Sequence, residues 1–187
     1  MKRKGIHHLG LVTVDIERTI EFYTTKLGFD LAWCDVIEPP DGGRIKHAFL
    51  DMGDGTFLAF MSPEDVPGIP AALATDLNSP QQLPGFFYHF AFWLDDLEEL
   101  EAKRKDLAAK GVEATPIVDH EWCRSIYLRD PNGLLLEYCA TVRQLTAPDD
   151  KTMTAKPAPP PTTDAEARRK AFEILMRRET PRLAGPR

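Results

Sequence analysis

The chain has 187 residues, 43% of them hydrophobic, and a formal net charge of −6, enough apolar material for one domain or two half-domains sharing a core. The acidic balance argues against nucleic acid as a partner, because neutralising phosphates needs clustered Lys and Arg, and no apolar run approaches bilayer length. Cys34, Cys123 and Cys139 lack CxxC spacing, which suits a reducing compartment and no disulfide framework. The basic start Met1-Lys2-Arg3-Lys4 runs into a strand-like segment rather than a signal-type apolar stretch. A cytoplasmic protein with no membrane partner is expected.

Residues 5–14 are rich in branched and aromatic side chains and read as a strand. Asp15 is placed to cap a helix, along which Ile16, Ile20, Phe22, Tyr23 and Leu27 recur at helical spacing before Gly28. Residues 29–38, 44–51 and 56–61 then supply three strands, with Gly- and Pro-rich turns between them. The connector 62–85 is long for a simple loop and is expected to cover something.

The pattern then repeats. Residues 86–94 form a second aromatic strand, Asp95 or Asp96 caps a helix carrying Leu97, Leu100, Arg104, Leu107 and Ala108, and Gly111 ends it. Strands follow at 112–118, 122–129 and 134–140, the last after the turn Asp130-Pro131-Asn132-Gly133. Both halves read β-α-β-β-β, so the expected fold is α+β: a domain over 1–140 built of module one (5–61), the connector (62–85) and module two (86–140). Within 141–187 a Pro- and Ala-rich linker leads to a helix near 164–180. Ala167, Ala171, Ile174 and Leu175 give that helix an apolar stripe for docking on this domain or on a second subunit, with a disordered tail as the alternative.

His8 and His89 hold the same place in the two repeats, each seven residues before Asp15 or Asp96. Strand alternation puts His8 on a face with Ile6, Gly10 and Val12, and His89 with Phe87, Ala91 and Trp93. Glu137 interrupts the apolar run Leu134-Leu135-Leu136-Glu137-Tyr138, where a carboxylate needs a cation or donors to offset its burial. Two imidazoles and one carboxylate suit a divalent metal with open coordination positions. The plainer alternatives are hydrogen-bonded strand histidines and a Glu137 paired with Arg124. His7 is expected to face away from His8, Trp33, Phe87 and Trp93 to line a cavity or core, and Cys123 to be a buried thiol.

Ile6, His8, Leu9, Leu11 and Asp15, then Phe22-Tyr23 and Leu27-Gly28-Phe29, and later Tyr127-x-x-Asp130-Pro-x-Gly133-x-x-x-Glu137 together resemble the vicinal oxygen chelate superfamily of glyoxalases, bleomycin resistance proteins and extradiol dioxygenases. The resemblance implies tandem βαβββ modules forming an open, U-shaped mixed sheet around a metal, with a homodimer expected and the modules pairing within or across chains. Glyoxalase I-like members use four ligands, but here the first-module counterpart of Glu137 is Ala59 or, one residue on, Phe60, and neither binds metal. His8, His89 and Glu137 instead match the triad of extradiol dioxygenases, with Tyr127 at the position of their tyrosine donor. Their acid–base histidine would be His120 first and His47 second. The implied activity is an Fe(II) oxygenase acting on a small catechol-like or other vicinal-oxygen substrate, with Mn, Zn, Ni or Co as other metals. The alternatives are a metal-dependent lyase, isomerase or epimerase acting through an enolate, and a metal-free metabolite- or drug-binding protein.

Overall fold

A computed structural model describes residues 5–53, 55–70, 72–146, 165–177 and 182–183. It divides into two compact units: Met1–Pro80 with Asp130–Gly133 and Glu179–Arg187, and Gln81–Arg129 with Leu134–Arg178. The main sheet of each has four strands, and both sheets are mixed and open, as the two βαβββ repeats predict.

In the first unit, β1 (His8–Val12) pairs in parallel with β4 (Phe57–Glu64), which pairs antiparallel with β3 (Arg44–Asp51), and β3 with β2 (Asp30–Ile37). Asp15 caps α1 (Ile16–Glu21) by accepting from the Arg18 amide at 2.9 Å. Beyond Glu21 the expected α-helix widens into a π-helical stretch, Phe22–Leu27. The Thr24 and Thr25 hydroxyls donate to the Ile20 and Glu21 carbonyls four residues back and so compete with the backbone amides there. Gly28 ends the stretch at φ 83, a left-handed conformation that glycine takes without strain. Ile16, Tyr23 and Leu27 are buried, as are Leu50, Leu58 and Phe60 of the sheet, and the Tyr23 and Phe60 rings lie 5.1 Å apart.

The turn Asp130–Gly133 belongs to this unit and is pinned under the helix. Tyr23 Oη donates to Asp130 at 3.1 Å, Asn132 Nδ2 to Thr19 at 3.2 Å, and Thr75 Oγ1 to the Asn132 carbonyl at 2.6 Å. The connector does cover a surface. Ile69, Ala74 and Leu77 roof a cavity of about 430 Å³ whose sheet side includes Val12, Ile45 and Met61. A short strand in the connector, β5 (Ala72–Leu73), pairs antiparallel with β10 (Arg182–Leu183).

In the second unit, β6 (His89–Leu94) runs parallel to β9 (Leu135–Thr141), which pairs with β8 (Cys123–Arg129) and that with β7 (Val118–Asp119). Asp96, rather than Asp95, caps α2 (Leu97–Ala109), accepting from the Glu99 amide at 2.9 Å. Leu100 and Leu107 of α2 are buried, while Leu97 and Ala108 of the expected stripe are exposed and Arg104 turns to Glu101 at 2.8 Å. The strand expected over 112–118 forms only at its end. Ala114 makes a single bridge to Leu128, Pro116 has no amide to donate, and the Thr115 hydroxyl accepts from the Tyr127 amide at 3.0 Å in place of a ladder bond. The C-terminal helix forms as α3 (Ala165–Met176), while most of the expected linker lies outside the described residues. Among the described residues no helix is long and apolar enough to cross a membrane.

The pinned turn yields a stability prediction. Tyr23→Phe removes a buried donor from Asp130, so urea unfolding should show a loss of about 1–3 kcal/mol. An unchanged midpoint would mean that the hydrogen bond contributes nothing.

Candidate metal centre

Ala91 of β6 lies beside Glu137 of β9 in the parallel register, and His89 lies beside Leu135. Alternation therefore puts the His89 and Glu137 side chains on one face. Their polar ends meet: Nε2 of His89 is 3.0 Å from Oε2 of Glu137. On the other side of the ring, Nδ1 stands 3.0 Å from the Phe86 carbonyl oxygen. A carbonyl only accepts, so Nδ1 carries a hydrogen and a neutral ring turns its Nε2 lone pair toward the carboxylate. Two electron-pair donors at that separation need a proton or a metal cation between them.

The other carboxylate oxygen, Oε1, accepts a hydrogen bond from the Ser125 hydroxyl. Ser125 and Glu137 are both buried. Sequence reasoning missed Ser125; its signal was strand parity with Tyr127 on β8, which faces the Glu137 strand. Tyr127 is Glu137's partner in that antiparallel register, and its hydroxyl lies 2.9 Å from Nε2 of His120. The chain thus brings together His89, Glu137, Tyr127 and His120 of the expected site.

These environments move the protonation equilibria. The hydrogen bond to Glu137 raises His89 above the usual imidazole value, against the opposing effect of burial. Burial pushes Glu137 upward, but its hydrogen bonds to His89 and Ser125 outweigh this and leave it below the usual carboxylate value. Burial, aided by the Glu137 charge, raises Tyr127 far above the usual phenol range, so it keeps its proton as a donor. Burial, with the Cys139 thiol close by, pushes Cys123 up to about 12, which makes it the inert thiol expected.

The remaining candidates lie in the first unit. His8 is on β1 opposite Phe57, and its Nδ1 is 2.8 Å from Nδ1 of His7. His7 does not face away as expected, because it precedes the strand and escapes its alternation. His47 on β3 has its Nδ1 3.3 Å from Asp35 Oδ1, and both the His8 and His47 rings meet Phe49, at 5.5 and 4.6 Å. Gly10 lies opposite Ala59 as Ala91 lies opposite Glu137, so the counterpart of the carboxylate is Ala59 rather than Phe60. Arg124 pairs with Asp119 at 2.7 Å. Trp33, Phe87 and Trp93, expected in a cavity or core, are 61%, 55% and 76% exposed. Among the described residues no group of three or more His, Cys, Asp or Glu side chains is close enough to hold a metal ion. The donor chemistry of the His89–Glu137 pair nonetheless fits one. A neutral imidazole fixed through Nδ1–H to a carbonyl, beside a carboxylate oriented by a hydroxyl, is the arrangement a divalent cation selects.

Residues 5–138 match the sequence profile of the Glyoxalase/Bleomycin resistance protein/Dioxygenase superfamily. The "Putative ring-cleaving dioxygenase MhqA" of Bacillus subtilis is 26% identical over 72% of the chain, which spans 39% of that relative's length. The uncharacterised protein YwbC of the same organism is 27% identical over 72% of the chain and 96% of its own. Among solved structures, a glyoxalase/bleomycin resistance protein/dioxygenase from Nocardioides is 31% identical, covering 78% of this chain and 92% of its own with a TM-score of 0.52.

Chelator-treated protein, with a proton shared between His89 and Glu137, should show a pH signature. The His89 contribution to stability is full below its unfolded value of 6.5 and is lost as pH rises through its raised folded value. The Glu137 contribution is full above its unfolded value of 4.5 and is lost as pH falls through its lowered folded value. The difference in thermal stability between the unsubstituted protein and His89→Gln should therefore peak between pH 4.5 and 6.5 and shrink above that window. A difference that keeps growing toward alkaline pH would contradict the assignment.

Proposed function

The chain belongs to the glyoxalase/bleomycin resistance protein/dioxygenase superfamily, and from that premise we propose that it is a metal-dependent oxygenase acting on a small catechol-like substrate. His89, Glu137 and His8 hold the metal in this reading, with Fe(II) as the ion. The observation that carries it is the His89–Glu137 pair, whose facing lone pairs call for a proton or a metal cation, and whose donor types suit the metal. The retained first-strand histidine and the loss of a first-module carboxylate at Ala59 support three ligands rather than four. The similarity to MhqA points in the same direction.

A divalent metal held by these residues would supply Lewis acidity toward the substrate. The protein residues do the rest. Ser125 fixes one Glu137 oxygen, leaving the other beside His89. Tyr127, held protonated, would donate its one hydrogen to a substrate oxygen, and a protonated His120, with Nε2 2.9 Å from the phenol oxygen, would replace that hydrogen if it is transferred. His120 is preferred to His47 for this role because His47 is engaged by Asp35. The substrate is the partner this reading requires, and a homodimer is its proposed assembly.

Anaerobic Fe(II) loading followed by aerobic assay against a catechol panel should yield a ring-cleavage chromophore. Turnover that ignores oxygen but runs with Mn²⁺, Co²⁺ or Ni²⁺ would instead assign enolate chemistry. Ser125→Ala should weaken metal binding by about 10- to 100-fold in equilibrium titrations; unchanged affinity would remove Ser125 from the site.

A further inference from the structure

The family match ends at residue 138, yet the chain continues into α3, and α3 does not lie on the α2 side of its sheet. Leu175 packs on Val118, Tyr127 and Leu135. Tyr127 is the cross-strand partner of Glu137, and Leu135 lies beside His89, two residues before Glu137 on the same face of β9. The helix therefore rests on the face that carries the candidate metal centre. Its apolar stripe is turned inward, with Ala171 and Ile174 buried and Phe172 exposed.

Polar contacts fix its position. Arg129, at the end of β8, donates from Nη2 to the carbonyls of Ile174 at 3.3 Å and Arg177 at 2.8 Å, satisfying acceptors that a helix C-terminus leaves open. Lys170 and Arg177 flank Glu113 at 3.4 and 3.5 Å. The fit extends to the start of the unit. A Cβ on Gly85 would stand 2.1 Å from the Arg177 carbonyl oxygen and 1.9 Å from Arg129 Nη2, so only glycine admits the helix end there. On the opposite edge of the same face, His89, Ala91 and Trp93 of β6 remain exposed.

We propose that α3 is a wall of the substrate site, closing its β8 side, and that Leu175 against Tyr127 sets the bulk of the substituent a substrate carries. The wall is hydrocarbon, so it selects for the size of an uncharged alkyl or aryl group. This inference rests on the catechol-like substrate class proposed above.

The test is an anaerobic optical titration of metal-loaded full-length protein with catechol and with 4-tert-butylcatechol, for the unsubstituted protein, Leu175→Ala and Leu175→Trp. Metal affinity and circular dichroism are measured alongside to show that each variant is folded and loaded. Leu175→Ala should improve the bulky ligand relative to catechol by about ten-fold, the scale of a hydrocarbon group in a pocket, and Leu175→Trp should move the ratio the other way. Bulky-ligand binding that appears only in Leu175→Ala would also support the wall. If all three proteins bind both catechols in the same ratio, the wall is overturned and the proposed function stands. If folded, metal-loaded protein binds neither catechol in any form, both fall together.

Discussion

A carboxylate oxygen and an imidazole nitrogen that already has a carbonyl behind it stand 3.0 Å apart on one sheet face. Neither group tolerates the other's lone pair unless something electrophilic sits between them. Much of the second unit can be understood as the means of holding that pair. The parallel β6–β9 register sets their spacing, the Phe86 carbonyl selects the imidazole tautomer, and Ser125 orients the carboxylate from β8. Burial makes the arrangement demanding, because a desolvated carboxylate is stable only while its partners remain in place.

The first unit repeats the architecture without the carboxylate. Its first strand offers His8 in the register position of His89, but Ala59 stands where Glu137 would be. Its buried polar groups serve structure: the Asp130–Gly133 turn is tied by Asp130 and Asn132 to Tyr23 and Thr19. A motif that reads as a family signature in the sequence thus has an architectural role, and the carboxylate of the candidate centre, Glu137, lies four residues beyond it.

Much of this was legible in the chain itself. Two acidic caps, two terminating glycines and matched aromatic strands disclosed the repeat, because each encodes local geometry. Repeat position, strand parity and the family resemblance pointed to His89, Glu137, Tyr127 and His120, which the second unit groups, and equally to His8 and His47, which lie in the first. The misses have physical causes. Parity failed for His7 because that residue precedes its strand, and periodicity failed beyond Glu21 because two threonine hydroxyls compete for helix carbonyls. The strand expected over 112–118 was cut short by Pro116 and by a side chain substituting for a backbone partner. Ser125 offered only its strand parity with Tyr127, and a serine in a strand is unremarkable until its cross-strand neighbours are known. The docking face of α3 was equally hidden: its stripe was readable, but the surface it would meet was not.

The central claim, that the His89–Glu137 pair exists to hold a divalent cation, is tested most directly by metal content. Protein purified without added metal and then dialysed against a limiting divalent ion should retain one equivalent, whereas folded His89→Ala and Glu137→Gln should retain almost none. Equal retention by all three, or none by the unsubstituted protein, would contradict the account and leave the pair as a proton-bridged structural contact.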